Sequence, residues 1–126
     1  MKNKFLMLLV IVVALFNVAG LAQSKAKIIK LSETVGQFET KSLKLKPGKY
    51  QFEVTNKNVD HEVAFFLQEE ANKGKTEMSS TVANSLLPKT LKQGESALTG
   101  IVELKKGSYV YSCPLNPTPH YTITVE

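Results

Sequence analysis

Three side chains in this 126-residue sequence have the types needed for a reactive or metal-binding site: the only cysteine, Cys113, and the only two histidines, His61 and His120. One thiolate and two imidazoles form the trigonal ligand set of copper electron-transfer sites, in which a weak fourth ligand is optional. Zinc would accept the same three ligands. Rigid connections and export of the protein favour copper, because a site that serves two oxidation states benefits from a stiff frame.

The segment that joins Cys113 to His120 is unusually stiff. Three of the five prolines lie in it: Pro114, Pro117 and Pro119. Each proline fixes φ and removes a backbone donor. Residues 109–112 and 121–125 alternate as strands do. The sequence therefore predicts two strands joined by a rigid loop, with Cys113 at a strand end and His120 at a nearly preset distance from it.

A single cysteine in an exported protein has several possible roles, since cysteines in oxidising compartments normally pair. The thiol can be buried and inert, linked to another molecule, reactive, or bound to a metal. A nucleophilic role would use His120 or His61 as the base. No oxyanion-hole motif accompanies Cys113, and Pro114 removes the donor that follows it, so we predict that the protein is not an enzyme.

The N-terminus has the pattern of a cleaved secretory signal. Lys2 and Lys4 precede an apolar run over residues 5–16, and Gly20-Leu-Ala22 supplies small residues before a cleavage point. We expect a signal peptide over residues 1–22, a mature domain over 23–126, and a periplasmic or secreted protein without stable membrane insertion. Loss of two lysines lowers the formal charge from +5 to +3. Because every basic residue is lysine, a nucleic-acid partner is not expected.

The mature chain reads as short strands separated by turns that contain proline, glycine or asparagine. Between residues 69 and 87 the pattern weakens, which predicts a long excursion with a short helical turn or two. Residues 62–68 are apolar on both faces and are predicted to form a central strand. The strands are predicted over residues 25–31, 42–46, 50–55, 62–68, 98–104, 109–112 and 121–125. This spacing indicates an all-β sandwich of seven to eight strands.

An internal repeat suggests where the candidate ligands lie. Residues 45–52 and 104–111 share a leucine, lysine, glycine, tyrosine and aromatic pattern that suits a strand, turn and strand. His61 follows the first copy, and Cys113 and His120 follow the second. We therefore expect all three side chains at one end of the sandwich.

From about Lys41 to Val125 the chain resembles the cupredoxins, in its glycine-turn-tyrosine strand, its approach to His61, and its late Tyr-x-Cys strand with a histidine beyond. The resemblance implies a Greek-key β-sandwich, a type 1 copper and one-electron transfer between redox protein partners. It also implies that His61, Cys113 and His120 are the ligands. Plastocyanin-like loops place the second histidine three residues after the cysteine, where this chain has Asn116; Thr118-Pro-His120 is similar to amicyanin.

Several features of such a site stay open at the level of sequence. The loop has no methionine, so the axial position could be empty or filled by a backbone carbonyl, Glu62, Gln68 or Met78. Asn116 could mark a lost ligand. Two alternatives to electron transfer follow: copper storage or delivery to a copper-accepting protein, and a metal-free interaction module of the same fold.

Overall fold

The computed structural model describes residues 25–126, so the predicted signal peptide over 1–22 lies outside the described residues. Nine strands and two single 3₁₀ turns make up its regular structure, which confirms the all-β prediction. The strands are β1 (Lys27–Thr34), β2 (Gln37–Phe38), β3 (Ser42–Leu45), β4 (Gly48–Asn56), β5 (Phe66–Glu69), β6 (Ser96–Leu98), β7 (Val102–Leu104), β8 (Gly107–Ser112) and β9 (Tyr121–Val125). Among these residues no helix has the length and apolar character needed to cross a membrane.

Two mixed sheets form the sandwich. The first has the order β2-β1-β4-β6, with β7 also paired to β4, and the second has the order β3-β9-β8-β5. Strand β1 runs parallel to β4, and β3 runs parallel to β9, whereas the other pairs are antiparallel. Because β1 and β4 are parallel and in register from Lys27 with Tyr50 to Glu33 with Asn56, their carboxyl ends meet at the same edge of the sandwich.

The alternating sequence of β4 determines which of its side chains enter the core. Tyr50, Phe52, Val54 and Asn56 are buried, while the residues between them are partly exposed, as the period of two requires. The preceding β1–β2 hairpin was not predicted, because β2 has only two residues. Its turn contains Gly36 at φ 71°, a conformation that glycine adopts without steric cost.

The prediction of a central strand over residues 62–68 is wrong. Only Phe66–Glu69 forms a strand, β5, and it lies at an edge of the second sheet. The excursion after β5 covers this edge: Val82 donates a backbone hydrogen bond to the Leu67 carbonyl, and buried Gln68 donates to the Lys75 carbonyl. The segment is therefore apolar on both faces because the excursion covers it, and not because strands flank it on both sides.

Two other predictions concern the excursion and the strand that follows it. The excursion contains 3₁₀ turns at Glu70–Asn72 and Met78–Ser80, as predicted. The predicted strand over 98–104 is split into β6 and β7. Thr99 lies at the break, where its backbone N–H donates to the Phe52 carbonyl and its hydroxyl accepts from the Phe52 N–H. The Thr99 hydroxyl thus takes the place of a backbone carbonyl in the hydrogen bonding between β4 and this segment.

A cluster of aromatic rings joins the two sheets beneath the end where β8 terminates. The Phe38 ring lies 5.1 Å from that of Tyr111 and 5.9 Å from that of Tyr121, both edge to face. Phe65 lies 6.2 Å from Phe38 in the same geometry. The Tyr111 hydroxyl donates to the Thr40 carbonyl, so the polar atom of this buried ring is satisfied. The two-residue strand β2 therefore supplies a central side chain of the core.

Replacing Phe38 tests this role. We expect Phe38→Ala to lower the free energy of unfolding by about 3–5 kcal/mol, because a fully buried ring with three aromatic neighbours is removed. Urea denaturation measures the loss. Val35→Ala in the same hairpin is the control, since Val35 is 70% exposed and should change stability by less than about 0.5 kcal/mol. Equal effects of the two substitutions would contradict the assigned core.

Candidate functional site

Cys113 directly follows β8, as predicted, and its side chain turns into the protein. The thiol is buried, and its residue is only 3% exposed. Its Sγ accepts hydrogen bonds from the backbone N–H of Ala64, at 3.3 Å, and of Asn116, at 3.1 Å. The Cys113 N–H in turn donates to the Thr118 hydroxyl at 3.1 Å. The sulfur is therefore held between the segment after His61 and its own loop, with donors aimed at its lone pairs.

A buried carboxyl group beside the thiol was missed by the sequence analysis. Glu33 is fully buried; its Oε1 accepts from Asn116 Nδ2 at 3.4 Å, and its Oε2 has no hydrogen-bond partner within the described residues. Burial raises the pKa of Glu33 to about 7, against the opposing effect of its contacts with Cys113 and Asn116. The available signal was alternation: Glu33 lies on the same face of β1 as buried Leu31, but the first strand was predicted to end at Leu31.

The thiol is affected by the same environment. Burial raises the pKa of Cys113 to about 12, with a further contribution from the neighbouring Glu33 charge, while the Ala64 and Asn116 N–H groups act in the opposite direction. A nucleophilic cysteine needs a lowered thiol pKa and access to solvent. Cys113 has neither, so its surroundings do not favour nucleophilic chemistry.

Asn116 occupies the position at which plastocyanin-like loops carry a histidine, and its side chain points into the protein. It is 3% exposed. Its Oδ1 accepts from the Gly36 N–H at 2.8 Å, and its Nδ2 donates to the Thr34 carbonyl at 2.9 Å as well as to Glu33. The Cys113 loop is thereby bound to the β1–β2 turn, roughly 80 residues away in sequence.

The two histidines lie in different surroundings. His120 is partly exposed and lines a cavity of about 180 Å³ together with Cys113; Phe66, Lys75, Pro117 and Thr118 also contribute to its wall. His61 is exposed and does not line this cavity. Its Nδ1 lies 3.0 Å from the Glu62 carbonyl oxygen. Thus the structure brings Cys113 and His120 to one cavity, and His61 is not part of it.

The segment that carries His61 is fixed by a second buried asparagine. Asn56, the last residue of β4, donates from Nδ2 to the carbonyls of His61 and Leu91 at 3.0 Å, and to that of Val59 at 3.2 Å. Val63 then pairs with Leu91 through two backbone hydrogen bonds of 2.9 Å. This segment leads to Ala64, whose N–H reaches the thiol.

None of the side chains considered as axial ligands lines the cavity that Cys113 and His120 share. Gln68 donates to the Lys75 carbonyl and the Ser80 hydroxyl, and Glu62 accepts from the Thr90 hydroxyl at 2.5 Å. Met78 is 70% exposed and lines a different cavity with residues 86–90. Each of these three side chains therefore has other surroundings and does not contribute to the wall of that cavity.

The donors in this structure fit the predicted metal site only in part. Within residues 25–126, no group of three or more histidine, cysteine, aspartate or glutamate side chains is arranged to hold a metal ion. The trigonal His2Cys set is therefore not assembled. Cys113 and His120 remain, at opposite ends of the rigid loop, as residues that both contribute to the wall of one cavity. A thiolate with an imidazole suits a soft cation such as Cu(I).

Comparison with solved structures identifies the fold. Auracyanin A, described as a "blue" copper protein from Chloroflexus aurantiacus, is 16% identical with a TM-score of 0.58, covering 81% of this chain and 100% of its own. An azurin from Methylomonas sp. strain J is 13% identical with a TM-score of 0.59, over 81% and 99% of the two chains. A reduced amicyanin variant is 17% identical with a TM-score of 0.52, over 83% and 88%.

These similarities establish a cupredoxin-like fold, as the sequence resemblance implied. At such low sequence identity, these similarities show the architecture and give no evidence about the residues of the site. No protein-family model matches the sequence, and no curated protein matches it either. The assignment of His61, Cys113 and His120 as ligands therefore stays a prediction.

The buried Glu33 makes stability depend on pH in a specific direction. Because its pKa is higher in the folded protein than the ordinary value of 4.5, the folded state binds the proton more tightly. We expect the free energy of unfolding to fall as pH rises from about 4.5 to about 7, by about 3 kcal/mol, and this dependence to stop above that window. Urea denaturation of the metal-free protein at several pH values measures it.

Glu33→Gln should remove this part of the pH dependence, since an amide does not ionise. Glu103→Gln, at an exposed carboxylate on β7, is the control and should leave the profile as in the original protein. If the profile of Glu33→Gln matches that of the unaltered protein between pH 4.5 and 7, the carboxyl is not buried as described.

Proposed function

We propose that this chain is a small exported copper protein of cupredoxin-like fold in which Cys113 and His120 hold the metal. The observation that carries the proposal is their convergence on one cavity, at the two ends of a loop fixed by hydrogen bonds. Copper in such a place would supply one-electron redox chemistry or would be cargo. The similarity to auracyanin A, described as a "blue" copper protein, supports copper over other metals.

Each residue of the pair has a role that follows from its surroundings. Cys113 supplies a sulfur whose lone pairs already face two N–H donors, and such donors stabilise the negative charge of a thiolate. His120 supplies a partly exposed imidazole at the cavity wall, where a metal could enter and leave. Phe66, Pro114 and Pro117 add apolar surface to the same wall, beside the polar Lys75, Thr76, Ser112 and Thr118.

Electron transfer and copper storage or delivery differ in the number of ligands that they require. Electron transfer between redox partners requires a set that holds copper in both oxidation states, which here means that His61 joins the pair. Storage or delivery to a copper-accepting protein requires only reversible binding by the pair. We favour storage or delivery, because Cys113 and His120 share a cavity that His61 does not line.

A metal-free interaction module is the second candidate, and a specific observation favours it. Asn116 stands where related loops carry a histidine, and its side chain is fully used in contacts with the β1–β2 turn. This turn exposes Val35, and the neighbouring loop exposes Leu115. A module of this kind would bind a protein partner through these loops and would need no copper.

Copper titration of the mature protein distinguishes these functions. We expect one equivalent of Cu(I) to bind, measured by competition with a coloured Cu(I) chelator. Cys113→Ser or His120→Ala should weaken binding at least about tenfold, because each removes one of two ligands. His61→Ala is the matched control and should leave Cu(I) affinity unchanged.

Titration with Cu(II) completes the test. An intense thiolate charge-transfer band that needs both histidines would replace storage or delivery with electron transfer. Copper uptake unaffected by Cys113→Ser, or no uptake at all, would refute the proposed metal pair. In the second case, full stability without copper would favour the interaction module.

Export is the remaining part of the proposal. Expression of the full chain in a bacterium, followed by mass analysis of the protein in the periplasm or medium, should give a chain that begins at Gln23. A full-length chain retained in the membrane fraction would contradict cleavage after Ala22.

A further inference from the structure

Asn116 makes two kinds of contact in the Cys113 loop, one through its backbone and one through its side chain. Its backbone N–H donates to the Cys113 sulfur, while its side chain binds the backbone of the β1–β2 turn on both the donor and the acceptor side. The residue is buried, so these contacts are not exchanged for water. Few side chains other than an amide could accept from Gly36 and donate to Thr34 at once.

We infer that Asn116 is the positioning residue of the site: it fixes the Cys113 loop to the β1–β2 turn and is not the trace of a lost ligand. The part of this inference that concerns metal binding rests on the proposed copper function. The part that concerns the loop does not, since it follows from hydrogen bonds within the protein.

The geometry of the turn explains why an anchor is needed there. Three prolines stiffen the loop, but they also remove the backbone donors with which a loop normally binds its surroundings. The Gly36 N–H and the Thr34 carbonyl face Asn116 because the hairpin turns at Gly36 with φ 71°. Without the Asn116 side chain, these two buried or partly buried backbone groups would lose their partner, and the 3.1 Å contact between the Asn116 N–H and Sγ would lose its support.

Labelling of the thiol in the metal-free protein tests the inference. We expect Asn116→Ala to raise the rate of Cys113 alkylation by iodoacetamide at least about tenfold, because three hydrogen bonds that hold the loop over the thiol are removed. The increase should be present without denaturant and should change little with low concentrations of urea, as for a local opening.

Val102→Ala is the matched control. Val102 is fully buried in β7 and pairs with Tyr50, near the end of the sandwich away from Cys113. It should lower global stability without raising alkylation in the absence of urea. If Asn116→Ala labels no faster than the unaltered protein, or only through the same urea-dependent unfolding as Val102→Ala, the positioning role is overturned.

Asn116→His separates positioning from loss of a ligand. If Asn116 marks a lost ligand, the histidine should restore a site: a strong thiolate band with Cu(II) and a thiol that stays protected. Our inference predicts that alkylation becomes faster and that no such band appears. Because labelling needs no metal, failure of copper binding in the original protein leaves this outcome interpretable.

Discussion

The end of this sandwich is organised by the requirement to keep a thiol and a carboxyl group buried side by side. Transfer of an unpaired carboxylate into a protein interior is costly, and the protein meets this cost by partial hydrogen bonding and by a raised pKa. Glu33 has one oxygen in contact with Asn116 and one without a partner in the described chain. Natural cores rarely keep such a group without a reason. Here the carboxyl group adjoins the only cysteine.

Two buried asparagines fix the loops at this end of the sandwich with side-chain hydrogen bonds, as backbone hydrogen bonds fix neighbouring strands. Asn56 binds the carbonyls that shape the segment before Ala64, and Asn116 binds the turn that follows Glu33. Ala64, at the end of the first segment, and Asn116 itself each direct a backbone N–H at the Cys113 sulfur. The thiol thus depends on two independent side chain to backbone networks, which converge because β1 and β4 end together.

The sequence was most informative where structure is local. Alternation predicted β4, β8 and β9, and the proline-rich loop placed Cys113 at a strand end, because these features depend on neighbouring residues alone. The edge position of β5 was not predictable from its apolar run, since the excursion that covers it is distant in sequence. Glu33 was missed for a similar reason: a charged residue in a strand is normally exposed, and only tertiary structure turns it inward.

The same distinction applies to the candidate metal site. The presence of one cysteine and two histidines in the sequence predicts a copper site. Whether each side chain can bind the metal depends on where the folded chain places it. His120 shares a stiff loop with Cys113 and lines the same cavity, whereas His61 does not line it; Asn56 binds the His61 backbone carbonyl, and the His61 Nδ1 lies next to the Glu62 carbonyl. Zinc sites use three or four protein ligands. A pair of one thiolate and one imidazole falls short of that number, yet its soft sulfur still suits Cu(I), so under the proposed function the expected metal is copper and not zinc.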